Sequence, residues 1–163
     1  MAVLSDITRP DVREKVREVL MSGVGYDRVP FRLSYPFVRT DAGRSLSARP
    51  KQNNDCTVRA VALALGMEYD IAYDVLAGAG RKCGKGFHLN VWLTAQPWTR
   101  KIPFQAIKGK PRMNPATFVK QYPLGVYICK VAKHVFLVKD GVVYDTFENR
   151  PDRCIYTAWE ILK

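Results

Sequence analysis

NNDCTVRAVALALG, residues 53–66, reads as a helix entered through a polar turn. Val58, Val61, Ala62 and Leu65 recur at i, i+3, i+4 and i+7, the spacing of a buried helical stripe. Asn54 or Asp55 can cap its start, and Gly66 can end it in a left-handed turn. Cys56 then falls in the first turn. There the unbonded N–H groups and the helix dipole favour an anion, so the thiol ionises more readily.

A second stretch, HVFLVKDGVVYDT at 134–146, supplies what a thiolate needs. Asp140-Gly141 is a two-residue hairpin signal. The turn sets the register, pairing Lys139 with Val142, Phe136 with Asp145, and His134 with Phe147. His134, Phe136 and Val138 then share a sheet face with Val143, Asp145 and Phe147. Asp145 lies diagonal to His134, about 7–8 Å away between backbones and within side-chain reach. A carboxylate so placed fixes the imidazole tautomer and stabilises the imidazolium that forms when it takes a thiol proton. A slip of one residue would put the two groups on opposite faces.

Around these stretches the chain predicts further elements. Pro10–Met21 reads as a helix with Thr8 as its cap, followed by a proline-punctuated arm containing FRLSYPFV. A short helix is expected at about 70–77, capped by Asp70, with Ile71, Val75 and Leu76 inward. Residues 78–87, with four glycines, read as a mobile loop, and 88–96 as a helical piece. Ile102–Ile107 alternates like a strand, and Asn114–Gln121 reads as a helix with Pro115 at its first position. Gly125–Val131, His134–Val138, Val142–Phe147 and Ile155–Trp159 are β-branched or aromatic runs. Helices first and antiparallel strands afterwards imply an α+β fold. Two regions follow: an N-terminal helix and arm at 1–50, in the same domain or appended to it, and a main domain at 51–163.

Composition narrows the function classes. The 163 residues are 47% apolar, enough to fill a core. The longest charge-free stretch, Gly86–Thr99, is 14 residues, short of the ~20 needed to cross a membrane. MAVLSDITRPD has no apolar signal core. The four cysteines form no C-x-x-C pair, so reduced thiols and a cytoplasmic location are expected. Cys83 and His88 alone do not make a zinc site, and no metal or cofactor is expected. The net charge is +11, and residues 75–139 hold 12 basic residues and no acid. Such a block attracts an acidic protein or peptide, or nucleic acid. Trp92, Trp98 and Phe87 can line a cleft near the glycine loop, with His88 also facing substrate.

The helix-initial Cys of NNDCTVRAVALALG, followed by KHVFLVKDGVVYDT, resembles the papain-like cysteine peptidase superfamily. The likeness is to compact forms such as bacteriocin-processing peptidase domains and small phage-encoded proteins. It covers about residues 50–160. It implies a Cys-bearing helix packed on a C-terminal antiparallel sheet, with Cys56 as nucleophile, His134 as general base and later acid, and Asp145 as orienting group. Asn149 is the runner-up for that last role. The superfamily's oxyanion-hole Gln precedes the Cys by about six residues. Pro50 stands there, so the resemblance points instead to Gln52, with Asn53 and Asn54 as alternatives. The implied activity is hydrolysis of a peptide or isopeptide bond through a thioester. The alternatives are a catalytically silent papain-like module that binds or inhibits, and a basic nucleic-acid-binding protein.

Overall fold

A computed structural model describes residues 35–162. The helix expected at Pro10–Met21 lies outside them. Six strands form one sheet: β1 (Phe37–Arg39), β2 (Thr99–Pro103), β3 (Val126–Val131), β4 (His134–Lys139), β5 (Val142–Asp145) and β6 (Thr157–Ile161). Their order is β1-β5-β4-β3-β6-β2. The helices are α1 (Cys56–Leu65), α2 (Tyr69–Gly78), α3 (Leu89–Thr94) and α4 (Pro115–Gln121). The class is α+β, as the sequence implies.

The sheet is mixed rather than antiparallel. β1 runs parallel to β5, with Val38 opposite Tyr144, while the other pairs are antiparallel. The cause is topological: β1 precedes the helices, so the chain returns to β5 by a long crossover, the connection a parallel pair requires. Residues 35–50 are therefore joined to the sheet of the main domain rather than standing apart from it.

Alternation along the strands gives the sheet two apolar faces. Ile128, Val135, Leu137, Val142, Tyr144 and Trp159 pack with Val58, Val61, Leu76, Leu89 and Leu93 from α1, α2 and α3. Tyr127, Cys129, Phe136, Val138 and Val143 pack on the other side with Tyr35, Phe118 of α4, and Ile155. α1 ends where expected, with Gly66 at φ 63° and its N–H bonded to the Ala62 carbonyl. α4 carries the expected cap, the Asn114 side chain accepting from the Thr117 N–H at 2.9 Å.

α2 departs from expectation. It begins at Tyr69, behind Glu68, and buries Tyr69, Ala72 and Leu76, whereas Ile71 and Val75 are exposed. The contact with α1 selects one narrow stripe from a broadly apolar helix. Asp70 does not cap it: its carboxylate accepts from the Ala48 N–H at 2.9 Å and from Arg49 Nη1 at 2.6 Å. β2 starts three residues before the expected strand, because it pairs along β6 from Thr99↔Ile161 to Pro103↔Thr157.

The β4–β5 turn has Asp140 at φ 51° and Gly141 at φ 75°, as a type I′ turn requires. A Cβ on Gly141 would sit 3.5 Å from the carbonyl oxygens of Pro123 and Val119, so space is ordinary and the cost is conformational. Gly141→Ala is expected to lower stability by about 1–2 kcal/mol. Urea denaturation checks this; a change within a few tenths would mean that the turn does not fix the ribbon.

Candidate functional site

The turn delivers the register expected from the sequence, with Lys139↔Val142, Val138↔Val143 and Leu137↔Tyr144. The paired ladder stops there. His134 and Asp145 lie beyond it, at the end of the ribbon away from the turn, and His134 Nε2 stands 2.5 Å from Asp145 Oδ2. The His134 ring also lies 4.8 Å from that of Phe147, the residue expected opposite it.

Asp145 is almost fully buried and accepts from four groups. Besides His134, these are Arg59 Nη1 at 2.8 Å, Asn149 Nδ2 at 2.9 Å and the Thr146 N–H at 2.7 Å. Burial alone would push its carboxyl up; the bonds from His134, Arg59 and Asn149 overcome that and hold it below the usual carboxylate range. Asn149, expected as a runner-up, instead supports Asp145. Its carbonyl accepts from the buried Tyr35 hydroxyl.

Cys56 opens α1 and shares a cavity wall with His134 and Val135, whose ring and N–H both act on its thiol. Since Asp145 occupies Nε2, Nδ1 is the nitrogen left for the sulfur. Burial would raise the thiol; those groups, with the charges of His134 and Arg59, hold it below the ordinary thiol range. His134 moves the other way. Burial would lower it, but Asp145 and Cys56 together raise it above an ordinary imidazole. The three shifts agree: each favours a thiolate beside an imidazolium.

The start of α1 carries no side-chain cap. Asp55 occupies the cap position but makes no cap bond. Its carboxylate accepts from Arg44 Nη1 (3.1 Å), Arg59 Nε (3.1 Å) and the Tyr69 hydroxyl (2.8 Å). The first-turn N–H groups at Cys56 and Thr57 thus keep their positive pole toward the sulfur.

A cavity of about 300 Å³ opens beside the thiol. Asn54, Cys56, Phe87, His134 and Trp159 are among its walls. Of the three amides expected near an oxyanion, Asn54 lines it and Gln52 and Asn53 do not. Gln52 belongs instead to the contact with Arg44, whose Nη1 donates to the Gln52 carbonyl at 3.2 Å. The expected substrate-facing pair, His88 and Trp92, does not line the cavity either. His88 is exposed at the start of α3 and Trp92 packs edge-on against Trp98 at 5.8 Å, and neither borders the cavity. α3 buries Leu89 and Leu93, which carries Trp92 to the rim of the core.

Two residues of the site were counted in the sequence only as charge. Arg59 is buried and bridges Asp55 to Asp145. Its signal was present: it is the one cation in an otherwise apolar helix, three residues beyond Cys56 and so on the same side. Arg81, expected in a loop, is buried and donates from Nη2 to the Asn54 carbonyl at 3.0 Å. No local pattern marks it.

Among the described residues, no group of three or more His, Cys, Asp or Glu side chains is placed to hold a metal ion, and no helix is long and apolar enough to cross a membrane. Comparison with protein-family models, curated proteins and solved structures finds no match.

The shifts fix the pH behaviour. Asp145 is depressed on folding, so its contribution to stability is fully present above the unfolded value of about 3.9 and is lost as pH falls through the lower folded value. His134 is raised, so its contribution is fully present below about 6.5 and is lost as pH rises through the higher folded value. Arg59→Met removes a donor from two buried carboxylates and is expected to destabilise by about 3–5 kcal/mol. Asp145→Asn is expected to flatten the acid limb of a stability profile recorded by urea midpoints from pH 6 to pH 3. An unchanged acid limb would remove Asp145 as its source.

Proposed function

We propose that this chain is a papain-like cysteine hydrolase that cleaves a peptide or isopeptide bond. The observation that carries the reading is the His134 imidazole bonded through Nε2 to the buried Asp145 carboxylate and set beside the helix-initial Cys56 in the wall of one cavity. The papain-like assignment rests on the order of these elements, a Cys-bearing helix followed by a His strand and an Asp strand, with the helix seated on that sheet.

The mechanism follows from the contacts. His134 Nδ1 takes the thiol proton, and the Cys56 thiolate attacks the substrate carbonyl carbon. Negative charge moves to the carbonyl oxygen, where the Cys56 N–H and the Asn54 side-chain amide supply donors. The imidazolium returns its proton to the leaving nitrogen as the C–N bond breaks, leaving a thioester. A water, deprotonated by His134, attacks the thioester; the acid departs and the thiol is restored. Asp145 stays ionised throughout and stabilises the imidazolium. Four unpaired cysteines suit a reducing, cytoplasm-like compartment.

Thiol reactivity tests this without a known substrate. Iodoacetamide at pH 6 is expected to label Cys56 at least about tenfold faster than the exposed Cys83, since only ionised thiol reacts. His134→Ala is expected to slow Cys56 labelling by about 10²-fold. Site-resolved mass spectrometry of timed samples measures both. Sluggish labelling at Cys56 would leave a silent papain-like binding module as the better description.

A further inference from the structure

The walls of the cavity beside Cys56 carry charge of one sign. Arg81, Lys85, Lys130 and Lys133 line it, and no carboxylate does. They come from the glycine-rich loop after α2 (Arg81 and Lys85) and from the β3–β4 hairpin (Lys130 in β3, Lys133 in its turn). The basic block of the sequence is thereby gathered in part onto the reactive thiol.

Arg81 is the decisive member. It is 4% exposed, yet among the described residues it pairs with no carboxylate. Its guanidinium donates to the Asn54 carbonyl at 3.0 Å and lies 5.4 Å from the Tyr73 ring centroid. A carbonyl and a ring position a cation without neutralising it. A buried cation is costly unless an anion meets it, and the guanidinium fork matches a carboxylate with two parallel bonds. Its anchor, Asn54, adjoins the Asp55–Cys56 entry to α1, so an anion held by Arg81 lies beside the reacting sulfur. Phe87, Leu89 and Trp159 give the same cavity apolar walls for the stem of such a group.

We infer that the cavity selects an acidic peptide, with Arg81 binding a substrate carboxylate next to the scissile bond and Lys85, Lys130 and Lys133 drawing it in. The inference rests on the hydrolase reading and names its substrate class. Within an acidic peptide the carboxylate comes from a Glu or Asp side chain or from a chain end.

Paired alkylating agents separate the two levels. Iodoacetamide is neutral and reports thiol activation alone; iodoacetate carries the carboxylate. The rate ratio of iodoacetate to iodoacetamide at Cys56 is expected to exceed that of N-acetylcysteinamide by about tenfold or more at low salt, and to shrink as salt rises. Arg81→Met is expected to collapse the ratio. Should that variant not fold, the Lys85→Gln/Lys133→Gln double variant decides, because both side chains are exposed and its ratio is expected to fall several-fold. Protection of Cys56 from iodoacetamide then identifies the source. An amidated peptide containing Glu-Glu, or a neutral peptide with a free terminal carboxylate, is expected to slow labelling where the amidated Gln-Gln peptide does not. The first protecting assigns a side chain, the second a chain end. A ratio equal to the reference with Cys56 still fast to iodoacetamide overturns this inference and leaves the hydrolase standing. Protection by oligothymidylate with neither acidic peptide protecting overturns it in favour of nucleic acid. Cys56 slow to iodoacetamide removes the hydrolase itself.

Discussion

One buried carboxylate organises the site. Asp145 receives donors from the helix that Cys56 opens (Arg59), from its own ribbon (His134) and from the loop beyond (Thr146 and Asn149). A carboxylate taken from water is tolerated only with its lone pairs satisfied, so these four contacts stand or fall together. Each also fixes a position: Arg59 ties α1 to β5, and Asn149 ties the post-hairpin loop to Tyr35 at the start of the described chain. The thiol–imidazole contact is a by-product of that fixation. It forms because the two elements carrying its members are pinned to the same anion.

Much of this was legible locally. The start of α1 was marked by a polar turn before an apolar stripe, and the β4–β5 register by Asp140-Gly141; both signals lie within a few residues of what they determine. Cys56, His134 and Asp145 could therefore be placed relative to their own elements. Long-range choices were less visible. Which side of α2 is buried, which amide faces the cavity and where Arg81 goes depend on partners distant in sequence. Arg59 stands between the two cases. Its phase on the helix was readable, while its partner 86 residues away was not.

The basic excess also divides on folding. Residues 75–139 read as one uniform field, but the structure gives its members separate positions. Arg100 pairs with Glu160 across β2 and β6, and Arg112 lies 5.2 Å from the Tyr156 ring. Arg81 is drawn inside beside Cys56. Net charge describes solubility and attraction at long range, whereas the local electrostatics of the site come from the few charged groups that the fold sets around Cys56.

The parallel strand at the sheet edge has a consequence for biogenesis. β1 and Cys56 leave the ribosome before His134 and before β5, the strand against which β1 lies. With Tyr35 and Asn149 in contact across 114 positions, the β1 edge must wait for a loop made 114 residues later. At 5–20 residues per second the nascent chain carries Cys56 without His134 for on the order of ten seconds. The Cys56–His134–Asp145 cluster therefore exists only once the sheet has closed.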